Sequence, residues 1–430
     1  MDGMMEFFEK SLKFVLPAAA MVAAALLLLV FLYRYFSPFW MKGATFEAAP
    51  VQRRSDRRDG LRRLLWIAAW LVGTRLFLYL IALIGCAFTG QLERYLTDPG
   101  AFWVQWDANH YLRLANNWYV NEGDPRFHIV FYPLYPLAVR LFQPLFIGNT
   151  VLAATVLSNL FLFAACWALY ELARPLYHER GARNAVRFLL LFPTSLYLSV
   201  PYSESIFLMV TLLSVLAARR DRIWIAVLLG ALASASRSQG LLCAVPVFYE
   251  ALRLEASGGR PKAGRVALRA AQVSLIALGF GAYLLLNWQV TGNPFQFLIY
   301  QREHWHQTLG SVGQTLQYTI ENAFHYEDAS GRLGIWIPQL ISIVLAFGLM
   351  GVSWRRVHPA DGAYALLYVW VSFSPTWLIS GPRYLMAMYA LYPILVILSK
   401  GRWRAAAAMV LMVLGTVYCA LQYAVFGSLY

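Results

Sequence analysis

The residues best equipped for chemistry are few and scattered. Asp107 lies in the run Trp106-Asp107-Ala108-Asn109-His110-Tyr111, a polar stretch between two apolar blocks. A carboxylate there meets both water and lipid and can take a proton from an attacking hydroxyl. Ionisable groups in a chain that spends most of its length in a bilayer are functional candidates by default. Glu204 follows in Pro201-Tyr202-Ser203-Glu204-Ser205, and Arg237 in Ser236-Arg237-Ser238-Gln239-Gly240. His304 and His306 flank Trp305, and Arg383 sits in Gly381-Pro382-Arg383-Tyr384. A carboxylate with arginines at a membrane boundary suits a reaction on a phosphate-bearing lipid. The arginines would hold the phosphate as it leaves, because bidentate contact favours guanidinium over ammonium.

Each of these residues also has a plainer explanation. Asp107 is either a catalytic base or a helix cap or surface ion pair. His110, one turn later, orients an acceptor or bonds within its loop. Glu204 binds acceptor hydroxyls or complements a helix dipole. Arg237 and Arg383 hold phosphate or snorkel to anionic headgroups. Trp103, Trp106 and Tyr111 stack on sugar or anchor the interface. His304 and His306, two apart, point in different directions on a helix, so no metal site is expected.

The elements that must position these groups follow from composition. The chain has 430 residues, 60% hydrophobic and 13% charged, against roughly 25% charged in soluble domains. Apolar blocks long enough to cross a bilayer recur from end to end, so the expected class is an all-α polytopic membrane protein with about twelve spans. The net charge of +14 gathers in short loops, at residues 53–63, 174–187, 219–222, 253–269, 355–356 and 400–404. That positive-inside pattern sets orientation and argues against nucleic acid as a partner. Cys86, Cys166, Cys243 and Cys419 lie in apolar stretches without metal-type spacing and are read as core residues.

Placing every basic cluster in the cytoplasm threads the chain. Residues 1–63 form an N-terminal anchor (16–36) and a basic linker (42–63), and residues 64–430 one membrane domain. Two large extracytoplasmic loops, 89–128 and 291–333, carry short interfacial helices, and 131–146 is interfacial or re-entrant. The blocks 188–217 and 223–250 are too long for one span and short for two, and each is interrupted by polar residues at its middle. Reading them as hairpins of short helices brings Glu204 and Arg237 to the side of Asp107 and keeps the arginine cluster inside.

These residues resemble a family. The first-loop run from Trp106 to Ala115, followed by Phe131-Tyr132-Pro133-Leu134-Tyr135-Pro136-Leu137, is similar to the signature of the PIG-V-type mannosyltransferases of the GT-C superfamily. Phe192-Pro193-Thr194, Tyr202-Ser203-Glu204-Ser205, Arg237 to Leu242, Asn293-Pro294-Phe295 with Trp305, and Pro382-Arg383-Tyr384-Leu385 add to the resemblance, with Gln239 where the pattern has Asn. It covers about residues 64–398.

The resemblance implies a GT-C-type fold and transfer of a sugar, most often mannose, from a polyprenyl-phosphate-linked donor to an extracytoplasmic acceptor hydroxyl on a lipid or glycan. Transfer would proceed with inversion, without metal or other cofactor, and with Asp107 as base. Asn109, His110, Tyr202, Glu204 and Trp305 would serve the acceptor or sugar, and Arg237 and Arg383 the donor phosphate. The protein would be an integral membrane protein (of the plasma membrane if bacterial), among membrane lipids, with its site facing the extracytoplasmic side. A transporter of lipid-linked sugars, or an enzyme using another polyprenyl-phosphate hexose, are the alternatives.

Overall fold

Apolar blocks without period-two alternation leave the backbone one way to satisfy its own polar groups in lipid, the α-helix. The computed structural model, which describes residues 15–40, 57–98, 100, 103–256 and 260–426, is built from helices. Among the described residues no strand forms; Leu309 and Pro375 make an isolated antiparallel bridge.

In chain order the helices are α1 (Leu16–Trp40), α2 (Arg57–Phe88), α3 (Leu92–Thr97), α4 (Asp107–Asn117), α5 (Leu134–Phe142), α6 (Thr150–Leu190), α7 (Glu204–Arg219), α8 (Ile223–Ser236) and α9 (Ala244–Ala256). They continue as α10 (Ala263–Ser274), α11 (Ala277–Thr291), α12 (Gln296–Glu303), α13 (Val312–His325), α14 (Ile337–Ser353), α15 (Pro359–Ser372), α16 (Gly381–Ala387), α17 (Leu391–Leu398) and α18 (Arg402–Leu421).

Among the described residues, six helical segments are long and apolar enough to cross a membrane, or eight if two bent pairs each count as one span. Twelve were expected, and the shorter apolar helices fall outside this count by length. Several apolar blocks are cut into pieces of 16, 14, 13 and 14 residues (α7, α8, α9 and α15). Polar residues, glycine and proline break them before they reach full span length. The single span expected at 385–398 is likewise broken, since α16 and α17 meet at an 84° bend. The segment expected to be re-entrant is also sharply bent: Asp124–Val130 and Leu134–Phe146 meet at 110°.

Both interrupted blocks turn back at their polar middles. α6 bends at His178, whose φ of 58° breaks the helical path. The chain then runs through a 3₁₀ turn at Ser195–Leu198 into α7. α8 ends at Ser236, and a 3₁₀ segment, Ser238–Cys243, leads into α9. α7 is buried along nearly its whole length. A helix apolar on all faces belongs at the centre of a bundle. Fifteen residue steps separate its two ends, about 22 Å, with Glu204 at one end and Arg219 at the other.

At the Arg219 end, basic clusters distant in sequence share buried acids. Arg63 and Arg220 both bond Glu171, the latter at 2.8 Å. Arg219 reaches Asp361 at 2.5 Å and lies 3.6 Å from Glu250, while Arg253 contacts Glu250 at 2.6 Å and Asp221 at 2.5 Å. Tyr389 donates to Asp361 at 2.8 Å. Removing one partner from a buried pair leaves an uncompensated charge and costs about 3–5 kcal/mol. Arg219→Ala is thus expected to lower the thermal unfolding midpoint of detergent-solubilised protein markedly; an unchanged midpoint would show that the network contributes little.

The linker placed at 42–63 is only partly a linker. Arg57 to Arg63 form the first turns of α2, because arginine is a good helix former; residues 42–56 lie outside the described residues. α1 packs on α13 and α15. Its Arg34 donates to the Val357 carbonyl at 3.0 Å and its Tyr35 to that of Val245 at 2.7 Å. The four cysteines are buried and unpaired with one another.

Candidate active site

At the Glu204 end of α7, four charged side chains from four elements meet. Asp107 occupies the first turn of α4, Glu204 the first turn of α7, Arg237 the position after α8, and Arg383 lies within α16. Arg383 Nη1 donates to Asp107 Oδ2 at 2.9 Å, and its Nε lies 3.1 Å from Glu204 Oε1. Arg237 Nη1 donates to the same Glu204 oxygen at 2.6 Å.

Local sequence explains how each group arrives. Trp106 adopts φ 47°, a region costly for a bulky residue. Its ring is pinned edge-on to Tyr423 at 4.9 Å, and this turn starts α4 on Asp107. Gly240 lets the segment after Arg237 lie against α8, since a Cβ there would stand 2.1 Å from the Ala233 backbone. Gly381 does the same before Arg383: its N–H donates to Gln339 Oε1 at 2.6 Å, and a Cβ would meet that side chain at 2.3 Å. Thr194 Oγ1 donates to the Pro382 carbonyl at 3.2 Å, tying the Phe192-Pro193-Thr194 turn to the one carrying Arg383.

Exposure separates the four. The Asp107 side chain is 23% exposed, against 10% for Arg383, 11% for Arg237 and 1% for Glu204. Asp107 is thus the acid that a molecule entering from outside would meet. Among the described residues, its Oδ1 has no protein partner.

The second expected loop covers the first. Trp305, after α12, sets its ring 5.6 Å from His110 and 5.7 Å from Phe131. His304 stacks on Phe127 at 4.1 Å. Among the described residues, His110 Nδ1 and Trp305 Nε1 are buried without a hydrogen-bond partner. Burial lowers the His110 pKa, opposed by the nearby Asp107 carboxylate, so its ring is neutral at pH 7 and has one nitrogen able to accept.

Asn109 is exposed and folds back on the Trp106 carbonyl at 3.5 Å. Tyr202 donates to the Gln105 carbonyl at 3.0 Å, and Arg383 lies over its ring at 5.2 Å. Gln239 donates to Ser372 Oγ at 3.3 Å. Among the described residues, no group of three or more His, Cys, Asp or Glu side chains is placed to hold a metal ion.

Arg75 and Tyr423 were not anticipated from the sequence, and Tyr111 was read there only as a sugar-stacking or interfacial ring. Arg75, within α2, donates to the Ser195 and Leu190 carbonyls at 2.8 and 3.0 Å and to Ser199 Oγ at 2.9 Å. It thereby holds the turn leading to Glu204; an arginine inside an apolar block was the available signal. Tyr423 donates to the Trp103 carbonyl at 2.8 Å, and Tyr111 shares a 2.8 Å hydrogen bond with Ser203. Buried tyrosines carry no sequence mark separating them from interfacial ones.

Spanning helices with a buried four-charge centre at one end define an integral membrane protein of the polytopic helical class. Residues 80–255 match the family model described as Mannosyltransferase (PIG-V). That stretch contains Asp107, Glu204 and Arg237; the Asn293 and Arg383 motifs lie beyond it.

Human GPI alpha-1,6-mannosyltransferase 2 is 31% identical over 147 residues, 32% of this chain and 29% of that one. The Schizosaccharomyces pombe GPI mannosyltransferase 2 is 28% identical over 141 residues, 32% and 30% of the two chains. The matches thus span less than a third of these relatives' length. A crystal structure of the Archaeoglobus fulgidus oligosaccharyltransferase with Zn and sulfate overlaps 77% of this chain and 49% of its own, at 14% identity and a TM-score of 0.37.

Proposed function

We propose that this protein is a GT-C-type mannosyltransferase that moves mannose from a polyprenyl-phosphate donor to an acceptor hydroxyl at the outer membrane face. The observation that carries the reading is the partly exposed Asp107 carboxylate, with one oxygen free, beside two guanidinium groups in a PIG-V-type stretch. Asp107 Oδ1 takes the acceptor proton as the acceptor oxygen bonds to the anomeric carbon from the face opposite the phosphate. The bond from that carbon to the phosphate oxygen breaks, its electron pair stays with the polyprenyl phosphate, and the configuration inverts. Arg383 and Arg237 stabilise the departing charge.

Incubation of purified protein with labelled polyprenyl-phosphate-mannose and membrane lipids from its source should yield a labelled glycolipid. Movement of the donor between leaflets without any product would instead support transport.

His110 and Trp305 serve the acceptor, whose hydroxyls would satisfy the two buried nitrogens lacking partners. Trp305→Phe keeps a ring and removes the N–H. It is expected to raise the acceptor KM about tenfold and leave the donor KM unchanged; an unchanged acceptor KM would remove Trp305 from that role.

A further inference from the structure

Glu204 was expected to meet the acceptor, yet it is 1% exposed and one of its oxygens faces both arginines. The wider network of hydrogen bonds and ion pairs gives it a different place. Starting from Asp107 on α4, the path runs to Arg383 on α16, to Glu204 on α7, and to Arg237 after α8. Arg237 Nη1 also lies 3.4 Å from Ser203 Oγ, which shares a 2.8 Å hydrogen bond with the Tyr111 hydroxyl. Tyr111 is on α4, one turn after Asp107. The path is a closed ring through four elements that returns to the helix it left.

We infer that Glu204 is a positioning residue for the donor phosphate: it holds the Arg237 and Arg383 guanidiniums in register with each other and with Asp107, and does not touch the acceptor. The inference rests on the mannosyltransferase reading for the identity of the donor.

Three physical points support it. Two guanidiniums repel each other in a medium of low dielectric, and a carboxylate between them removes that repulsion. A single oxygen 2.6 Å from one guanidinium and 3.1 Å from the other fixes their separation, whereas a mobile pair would have to be ordered anew for each phosphate. Among the described residues, Arg237 Nη2 and Arg383 Nη2 have no protein acceptor and are not enclosed. The ring therefore occupies one edge of each guanidinium and leaves another for phosphate oxygens. Closure through Ser203 and Tyr111 ties this register to α4, so the base and the phosphate site shift together or not at all.

The test uses the full-length protein in detergent or nanodiscs, with Glu204→Gln, Glu204→Asp and Tyr111→Phe. Glu204→Asp keeps the charge and shortens the strut by one methylene, which covers the case in which Glu204→Gln fails to fold. Two readouts are taken: affinity for polyprenyl phosphate without sugar, and the separate KM values for polyprenyl-phosphate-mannose and acceptor. Both Glu204 variants should weaken polyprenyl phosphate binding and raise the donor KM about tenfold or more, with the acceptor KM within twofold of wild type. Tyr111→Phe should move the same two quantities in the same direction by a smaller factor.

A raised acceptor KM with an unchanged donor KM would overturn the inference and return Glu204 to the acceptor. Lower thermal stability with both KM values and phosphate affinity unchanged would reduce it to a structural ion pair. Failure of the wild type to transfer mannose would count against the proposed activity alone, because the polyprenyl phosphate binding comparison does not depend on turnover.

Discussion

Asp107→Asn is expected to lower transfer by about 10²–10⁴-fold, the usual worth of a positioned general base. The substitution is nearly isosteric. An amide oxygen can still accept from Arg383 Nη1, which bonds Oδ2 at 2.9 Å in the native protein. The ring through Glu204, Arg237 and Ser203 is left in place, so yield, monodispersity and unfolding midpoint should match the wild type. What is lost is the capacity of the other oxygen to take a proton. Because the loss falls on the chemical step, kcat should drop with little change in either KM. Turnover near the wild-type level in a well-folded Asp107→Asn protein would assign the proton to another group.

Arg383→Ala should be nearly as severe, and for two separable reasons. It removes a guanidinium from the departing phosphate, an interaction of the kind whose loss costs about 10²–10³-fold. It also strips Asp107 and Glu204 of a shared partner at a site where the arginine side chain is 10% exposed. Leaving a buried carboxylate short of its counter-charge costs about 3–5 kcal/mol, so a lower unfolding midpoint should accompany the lost activity. Arg383→Lys separates the effects. It restores the charge, but an ammonium on a single stem cannot face Asp107 with one edge and Glu204 with another. This variant should fold, bind donor weakly and transfer at least about 100-fold more slowly than wild type. Full activity in Arg383→Lys would mean that charge alone is needed and that the fork geometry has no role.

The two effects differ because the residues differ in exposure and connectivity. Asp107 is the most open member of the centre and, among the described residues, bonds through its side chain to Arg383 alone, so the chemistry can be altered without disturbing the packing. Arg383 is enclosed and links two carboxylates, so function and stability fall together.

Much of this was legible in the chain. Polar residues interrupting apolar blocks marked the tips of both hairpins, because a charged or prolyl break inside lipid is tolerated only where protein or water surrounds it. Those tips carry Glu204 and Arg237, and the structure brings them together with Asp107 and Arg383. Other features were not legible. Hydropathy records apolar length and is blind to where a helix bends, as between α16 and α17. Arg75 was overlooked because its partners are backbone carbonyls more than a hundred positions away. The start of α2 at Arg57 was hidden because a run of arginines reads as a topological signal and is also good helix-forming sequence.

The sequence by itself determined a helical membrane protein, the end of the bundle to which its basic clusters belong, and the short list of residues able to do chemistry. These depend on local composition and on the cost of polar groups in lipid, which act residue by residue. Only the tertiary structure decided the pairing: that Asp107 shares Arg383 with Glu204, that Glu204 is buried between two arginines, and that the ring closes through Ser203 and Tyr111. Contacts between residues 30 to 280 positions apart are set by how helices pack and where glycines such as Gly240 and Gly381 let them approach, and no local property of the chain encodes that geometry.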